Sequence, residues 1–445
     1  MSGLLITNAT MVNEGRQQEL DVMIRNGRIE KIGASLSASA TDNVIDATGL
    51  FLLPGMIDDQ VHFREPGDGR KGTIASESRA AVAGGITSFM EMPNTNPTTT
   101  TRERLAEKYH RASTKSLANY AFYMGASNDN LEEIQRLAPG EACGVKVFMG
   151  ASTGNMLVDD PDVLQRIFSD SPILIATHCE DTPTILKNEQ IYRERYGEDV
   201  PFEAHPAIRS EEACYLSSSM AVELARTHDT RLHVLHLTTA KELSLFDKGP
   251  VAGKRITAEA CVHHLWFDDS DYPDKGALIK CNPAVKTVQD RDALRQAVID
   301  DVIDVIATDH APHTWEEKQQ TYFKSPAGLP LVQHAMLSLL DLVHEGILTL
   351  EQMVHKTSHA VAECYGVAER GYVREGYWAD LVLVDLNART EVRDDNILYR
   401  CGWSPFSGHV FQSTISTTIV GGQILWDGEK IHDGFLGQRL EFNQT

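Results

Sequence analysis

An α/β fold, a (β/α)8 TIM-type barrel joined to a small β-sandwich domain built from both chain ends, is predicted by three features of the sequence. From residue 53 to residue 366, short apolar runs alternate with helical stretches, the pattern of a parallel sheet with crossover helices. Both chain ends are instead rich in β-branched residues and turn punctuation. The length of 445 residues suits one large domain with a smaller companion. The expected parts are 1–52 and 367–445 for the two halves of the β-sandwich and 53–366 for the barrel.

At the N-terminal end, LLITNATMV, DVMIRNGRIEKIG and NVIDATG alternate apolar and polar residues between Gly and Asn-Gly turns, as strands do. Within the middle segment, the apolar runs GITSFMEMP, GVKVFMG, PILIATHCED, RLHVLHLTT and DVIDVIATDHAPH read as barrel strands. ESRAAVAGG, EEACYLSSSMAVELARTH and DRDALRQAVIDDV read as helices between them. The C-terminal stretches GYVREGYWADLVLVDLN and STTIVGGQILWDGEKI return to strand character.

Composition narrows the function. With 63 acidic against 41 basic residues and a formal charge of -22, the surface repels nucleic acid and anionic membrane. A small anionic substrate stays possible, because a few inward-facing cations bind it locally. Seven cysteines, odd in number and without a CxxC pair, do not form a disulfide framework. The N-terminus lacks a basic segment followed by an apolar one, and no stretch is long enough to span a bilayer. A reducing cytoplasm is the expected location.

Several apolar runs end in residues that hold metals. DQVHFR carries His62, ILIAT ends at His178, HVLH at His236 and VIAT leads to Asp309. In a (β/α)8 barrel the C-terminal strand ends converge on one mouth, so ligands remote in sequence meet around one ion. A single His at a strand end is more often an ordinary hydrogen-bonded residue. The shared context of the set is the signal. Lys146, in GVKVFMG, is the odd member because an ammonium cannot bind a cation. Either it is buried with a carboxylate partner, or its amine reacts with carbon dioxide to give an anionic carbamate.

This constellation resembles the amidohydrolase superfamily, in the branch of dihydroorotases, allantoinases and dihydropyrimidinases, along the barrel and both sheet-forming ends. The resemblance implies that Lys146 is a carboxylated bridge between metals and that His178 and His236 hold the second ion. It implies that Asp309 is the catalytic residue and also binds the first. The metal implied is zinc, one or two ions per subunit. Where the family has an HxH pair, this chain has Gln60 and then His62. Residues 60, 62 and 64 share one side of a strand, so Gln60 still faces the ions, as a weaker neutral ligand. One well-held zinc is expected, with a second weak or absent.

Arg64 lies in register with His62 and is suited to bidentate binding of a carboxylate. FREPG, MPNTNP, CNPAVK and DHAPH resemble the dihydroorotases of the branch. By that resemblance Arg64, Asn94 and His313 hold a substrate carboxylate, while Asn282 and the backbone at Ala327 and Gly328 touch the ring. The activity implied is reversible hydrolysis of L-dihydroorotate to N-carbamoyl-L-aspartate, in pyrimidine synthesis. A homodimer is implied as well. Allantoinases typically carry Asn at the place of Arg64, which favours an acidic substrate. A reading of another class is a non-catalytic subunit associated with aspartate transcarbamoylase, toward which Gln60 is a step. Cys261, His263 and His264 read as barrel packing and support behind the ligands. Cys179 points away from His178, and TWEEKQQTYFKSPAG reads as a mobile loop over the site.

Overall fold

The computed structural model describes residues 3–150, 156–158 and 160–443. Strands β1 (Leu4–Asn13), β2 (Arg16–Arg25) and β3 (Arg28–Gly33) form an antiparallel meander. β4 (Asn43–Asp46) and β5 (Phe51–Pro54) run parallel to β1. The chain then enters the barrel with β6 (Met56–Val61), β7 (Ile86–Glu91), β8 (Asn119–Phe122) and β9 (Met124–Gly125). It continues with β10 (Val145–Phe148), β11 (Ile175–His178), β12 (Leu232–Val234), β13 (Ile256–Cys261) and β14 (Val305–Ala307). Last come β15 (Leu381–Asp385), the short pair β16 (Thr390–Glu391) and β17 (Val410–Phe411), β18 (Thr414–Val420) and β19 (Gln423–Trp426).

The two chain ends share one eight-stranded sheet of order β19-β18-β15-β5-β1-β2-β3, with β4 beside β1. The seam is β5 against β15, with Leu381 opposite Pro54 and Val384 opposite Phe51. Its core is apolar: Ile6, Val22, Leu52, Leu381, Leu383 and Ile419 are buried together. Residues some 330 positions apart in sequence therefore depend on each other for burial.

β6 to β14 pair in parallel around a barrel whose third strand is interrupted at Tyr123 between β8 and β9. The ring closes where Val61 bridges His310 in parallel and the His62 N–H donates to the His310 carbonyl at 2.7 Å. Every residue of β6, β7, β10 and β11 is buried. Helices cover one side of a barrel strand and packed side chains fill the other, so neither side sees water. The helices start where the sequence provides caps. Thr73, Ser210 and Thr287 accept from backbone N–H groups at the starts of Ile74–Ala83, Glu211–His228 and Val288–Ile299. Among the described residues no helix is long and apolar enough to cross a membrane, and all seven cysteines are free.

One buried ion pair sits at the mouth end of β7. Lys108 Nζ lies 3.0 Å from Glu91 Oε2, with side chains 1% and 0% exposed, and donates to the Met92 carbonyl at 3.0 Å. Burial raises the Glu91 pKa and lowers that of Lys108, each opposed by the other's charge. Lys108→Met is expected to destabilise the fold by about 3–5 kcal/mol, because it leaves Glu91 buried and alone. Urea denaturation measures this; an unchanged midpoint contradicts the pairing's structural weight.

Candidate active site

The strand ends bring two polar groups together at the barrel mouth. In the first, Gln60 Nε2 donates to Asp309 Oδ1 at 3.0 Å, and His62 Nε2 lies 3.1 Å from the same oxygen. Residues 60 and 62 thus point to one side, as strand alternation requires. His62 Nδ1 is 2.7 Å from Asn94 Oδ1. In the second group, His178 Nδ1 is 3.0 Å from His236 Nε2, and His178 Nε2 is 3.0 Å from Glu180 Oε2. Glu180 also pairs with Arg209. Burial opposes ionisation of Glu180, but Arg209 and His178 hold its carboxyl well below the usual range. The His236 N–H donates to Glu259 Oε1 at 2.9 Å.

Lys146 belongs to both groups. Its side chain is buried, and its Nζ lies 4.7 Å from the Phe148 ring centroid. It forms no ion pair among the described residues. Burial brings its pKa down to about 8, although the carboxylates of Asp309 and Glu259 pull upward. Burial also depresses His62, His178 and His236, with the Lys146 charge adding to the effect at each. At Asp309 burial pushes the pKa up, but His62, then His263 and Lys146, bring it below the ordinary carboxylate value. Arg64, His236 and Asp309 have φ values of +66°, +40° and +50°, in the left-handed region that L side chains seldom occupy. Such backbone persists where the surroundings over-determine it, commonly at functional sites.

The donor chemistry fits a divalent cation. If His62 Nδ1 donates to Asn94, its Nε2 presents a lone pair toward a carboxylate. If His178 Nε2 donates to Glu180, its Nδ1 presents one toward His236. Lone pairs about 3.0–3.1 Å apart are close to the ~3.3 Å separation of ligands around tetrahedral zinc. Holding a His by a carboxylate on its far nitrogen is also how metal-binding imidazoles are oriented. Gln60 departs from this pattern. Its amide hydrogen goes to Asp309, and its Oε1 faces Cys261 Sγ at 3.9 Å. It is placed as a donor to the carboxylate, and its oxygen is turned from that group.

Beside Asp309, the Arg64 Nε donates to the Pro312 carbonyl at 3.2 Å, and Nη2 lies 3.2 Å from His313 Nε2. Lys71 Nζ is 3.1 Å from His313 Nδ1, and His313 Nε2 is 2.9 Å from the Ala327 carbonyl. With the Lys71 ammonium on Nδ1, the ring proton sits on Nε2 and goes to Ala327. Among the described residues the Arg64 Nη2 is then left without an acceptor, and Arg64 forms no ion pair. Asn282 Oδ1 is likewise buried without a hydrogen-bond partner. The Gly328 N–H donates to the Lys280 carbonyl at 2.9 Å, and its own carbonyl accepts from Lys318 Nζ at 3.1 Å.

Gly328 has φ +139°, and a Cβ there would lie 2.4 Å from the Ala311 carbonyl oxygen and 3.1 Å from His313 Cδ2. Gly328→Ala is expected to displace the His313 loop, costing about 1–3 kcal/mol of stability. The KM for an acidic substrate should rise about tenfold, the equivalent of about 1.4 kcal/mol. Steady-state kinetics and thermal melting check both; an unaltered KM would separate Gly328 from the pocket.

Cys179 is buried, donates to Thr177 Oγ1 at 3.3 Å and has a thiol pushed up to about 11 by burial, unsuited to nucleophilic attack. Cys261, His263 and His264 have ligand atoms within 4.8 Å of one another, and both His263 ring nitrogens lack partners. The segment read from sequence as a mobile loop is fastened. Lys318 Nζ donates to the Lys280, Pro326 and Gly328 carbonyls, and Lys280 Nζ to those of Tyr322 and Ser325. Inward-turned ammonium groups satisfy the loop carbonyls, which a count of polar residues does not reveal. Reading the sequence also passes over Glu180, Arg209, Lys71 and Glu317. Only Glu180 carries a signal, two positions after His178 in HCED. Lys71 and Glu317, 2.8 Å apart, meet through the fold alone.

A family model described as the amidohydrolase family matches residues 51–425. A dihydroorotase from Halobacterium salinarum is 33% identical over 419 residues, covering 92% of this chain and 94% of the relative. One from Methanosarcina acetivorans is 32% identical over 447 residues, covering 97% and 94%. Among solved structures, an L-hydantoinase (dihydropyrimidinase) from Arthrobacter aurescens superposes with a TM-score of 0.92 at 25% identity, over 99% of this chain and all of that one. A dihydropyrimidinase from Brevibacillus agri gives 0.89 at 25%, over the full length of both.

Proposed function

The chain belongs to the amidohydrolase family, and we propose that within it the protein is a zinc-dependent dihydroorotase, opening L-dihydroorotate reversibly to N-carbamoyl-L-aspartate. The observation that carries the reading is Arg64. It is a partly buried guanidinium with no carboxylate partner among the described residues, 3.2 Å from His313 and on the Asp309 side of the mouth. Such a cation is a receptor for an acid group. Curated relatives that span nearly the whole chain carry the same activity in their names.

In this reading His62, His178, His236 and Asp309 hold the metal, with Lys146 as a carbamate. Burial supports the carbamate, since a pKa of about 8 leaves a share of neutral amine able to add carbon dioxide. The metal when bound supplies Lewis acidity toward the ring carbonyl and toward water. Arg64 clamps the substrate carboxylate and so sets the ring beside Asp309. Asn282 offers its free amide oxygen to a ring N–H. Asp309 takes a proton from the attacking water, and returns it to the ring nitrogen as the carbon–nitrogen bond breaks. The carbonyl carbon ends as a carboxylic acid that gives its proton to solvent, and the nitrogen as the carbamoyl NH2. Gln60, donating to Asp309 Oδ1, leaves the other oxygen for the proton.

The structural likeness favours a second reading, a hydantoinase-like enzyme acting on an uncharged ring. Turnover of dihydroorotate, hydantoin and allantoin by metal-quantified protein separates the two. Dihydroorotate is expected to be preferred by about a hundredfold or more in kcat/KM, the effect of one buried charge pair. Preference for an uncharged ring overturns the proposal. Metal-free protein without any turnover would favour a scaffolding subunit.

A further inference from the structure

Beneath the mouth, inside the barrel, three side chains from three strands each have, among the described residues, one polar atom bonded and one without a hydrogen-bond partner. Asp59, on β6, accepts from the Tyr365 hydroxyl at Oδ2, 2.8 Å away, and its Oδ1 has no partner. Glu259, on β13, accepts the His236 N–H and the Cys261 thiol at Oε1, and its Oε2 has no partner. His233, on β12, has Nδ1 2.7 Å from Thr257 Oγ1, and its Nε2 has no hydrogen-bond partner. All three residues are fully buried.

His233 Nε2 and the unbonded Glu259 oxygen face each other, and Asp59 turns toward them through Oδ2, the oxygen that also accepts from Tyr365. His233 Nε2 is 3.3 Å from Asp59 Oδ2 and 3.6 Å from Glu259 Oε2, and one ligand atom of each residue lies within 4.8 Å of the others. The Thr257 hydroxyl is 3.3 Å from the Leu232 carbonyl. A hydroxyl that donates to that carbonyl is left to accept, so the His233 ring proton sits on Nδ1. Nε2 then faces two carboxylates in a dry interior, and even an imidazolium there would leave one of the two negative charges uncompensated, an arrangement that costs free energy. Ligand atoms around zinc with bonds of about 2.0–2.2 Å stand ~3.3–3.6 Å apart, the separation found here. One imidazole and two carboxylates match a divalent transition ion in ligand type, and the ion's charge cancels theirs.

We propose that Asp59, His233 and Glu259 form a second metal site, separate from the mouth, that takes a divalent cation of the zinc class. Its role is structural. Glu259 holds the His236 N–H with the arm that the cation leaves free, so a filled site fixes the backbone of a residue at the mouth.

The test is zinc-edge anomalous diffraction from wild-type crystals grown from metal-quantified protein, with metal analysis of Asp59→Asn alongside. The expected result is an anomalous peak between His233 Nε2 and the two carboxylates, in addition to any at the mouth. Asp59→Asn is expected to lose a single metal equivalent and to keep the rest. A peak at the mouth alone, with equal metal content in wild type and variant, overturns this site and leaves the catalytic reading standing; the trio then shares a proton. Absence of both peaks overturns both. If Asp59→Asn does not fold, the wild-type map decides.

Discussion

Asp309→Asn is expected to lower kcat for dihydroorotate by about 10³-fold, within the range assigned to a positioned acid–base group. That corresponds to about 4 kcal/mol of barrier. The amide keeps the size of the carboxylate and can still meet Gln60 Nε2 and His62 Nε2, which now lie 3.0 and 3.1 Å from Asp309 Oδ1. It cannot accept the proton of the attacking water or deliver one to the ring nitrogen. Since the side chain also faces the metal donors, metal content must be measured with the kinetics, so that a lost ion is not mistaken for a lost base. A metal-replete variant with kcat within tenfold of wild type would remove Asp309 from its role. KM should move little, because the substrate's acid group is held elsewhere.

Arg64→Gln acts on binding. Its guanidinium has Pro312 O and His313 as neighbours and no ion pair among the described residues, so an arriving carboxylate supplies its missing partner. Loss of a charge-assisted, two-pronged contact costs about 3 kcal/mol, or about 10²-fold in kcat/KM for dihydroorotate. Most of this should appear in KM. Hydantoin, which lacks the acid group, should be turned over by the variant about as well as by wild type. Equal losses for both substrates would mean that Arg64 supports the loop at Pro312 and recognises nothing.

Much of this site is visible in the sequence for a geometric reason. In a parallel barrel every strand ends at the same mouth, so a metal-ligand residue closing an apolar run has its position assigned before any contact is known. His62, His178, His236 and Asp309 are legible that way, and Arg64 is legible because it stands two positions beyond His62. The role of Gln60 was not. Strand alternation places it on the same side as His62, but only the closeness of Asp309 and Cys261 turns its amide hydrogen to the carboxylate.

Sequence by itself determined the α/β barrel and the strand character of both chain ends, since each follows from a local period, and it singled out the residues that close the apolar runs. Tertiary structure alone decided which charges are compensated. Glu180 finds Arg209, Lys71 reaches both His313 and Glu317, and Lys318 and Lys280 fasten the loop after His313. It also buried Asp59, His233 and Glu259 beside one another with hydrogen-bonding capacity left over among the described residues. Burial sets the cost of an unpaired charge, and no spacing along a chain reports how far two side chains lie from water or from each other.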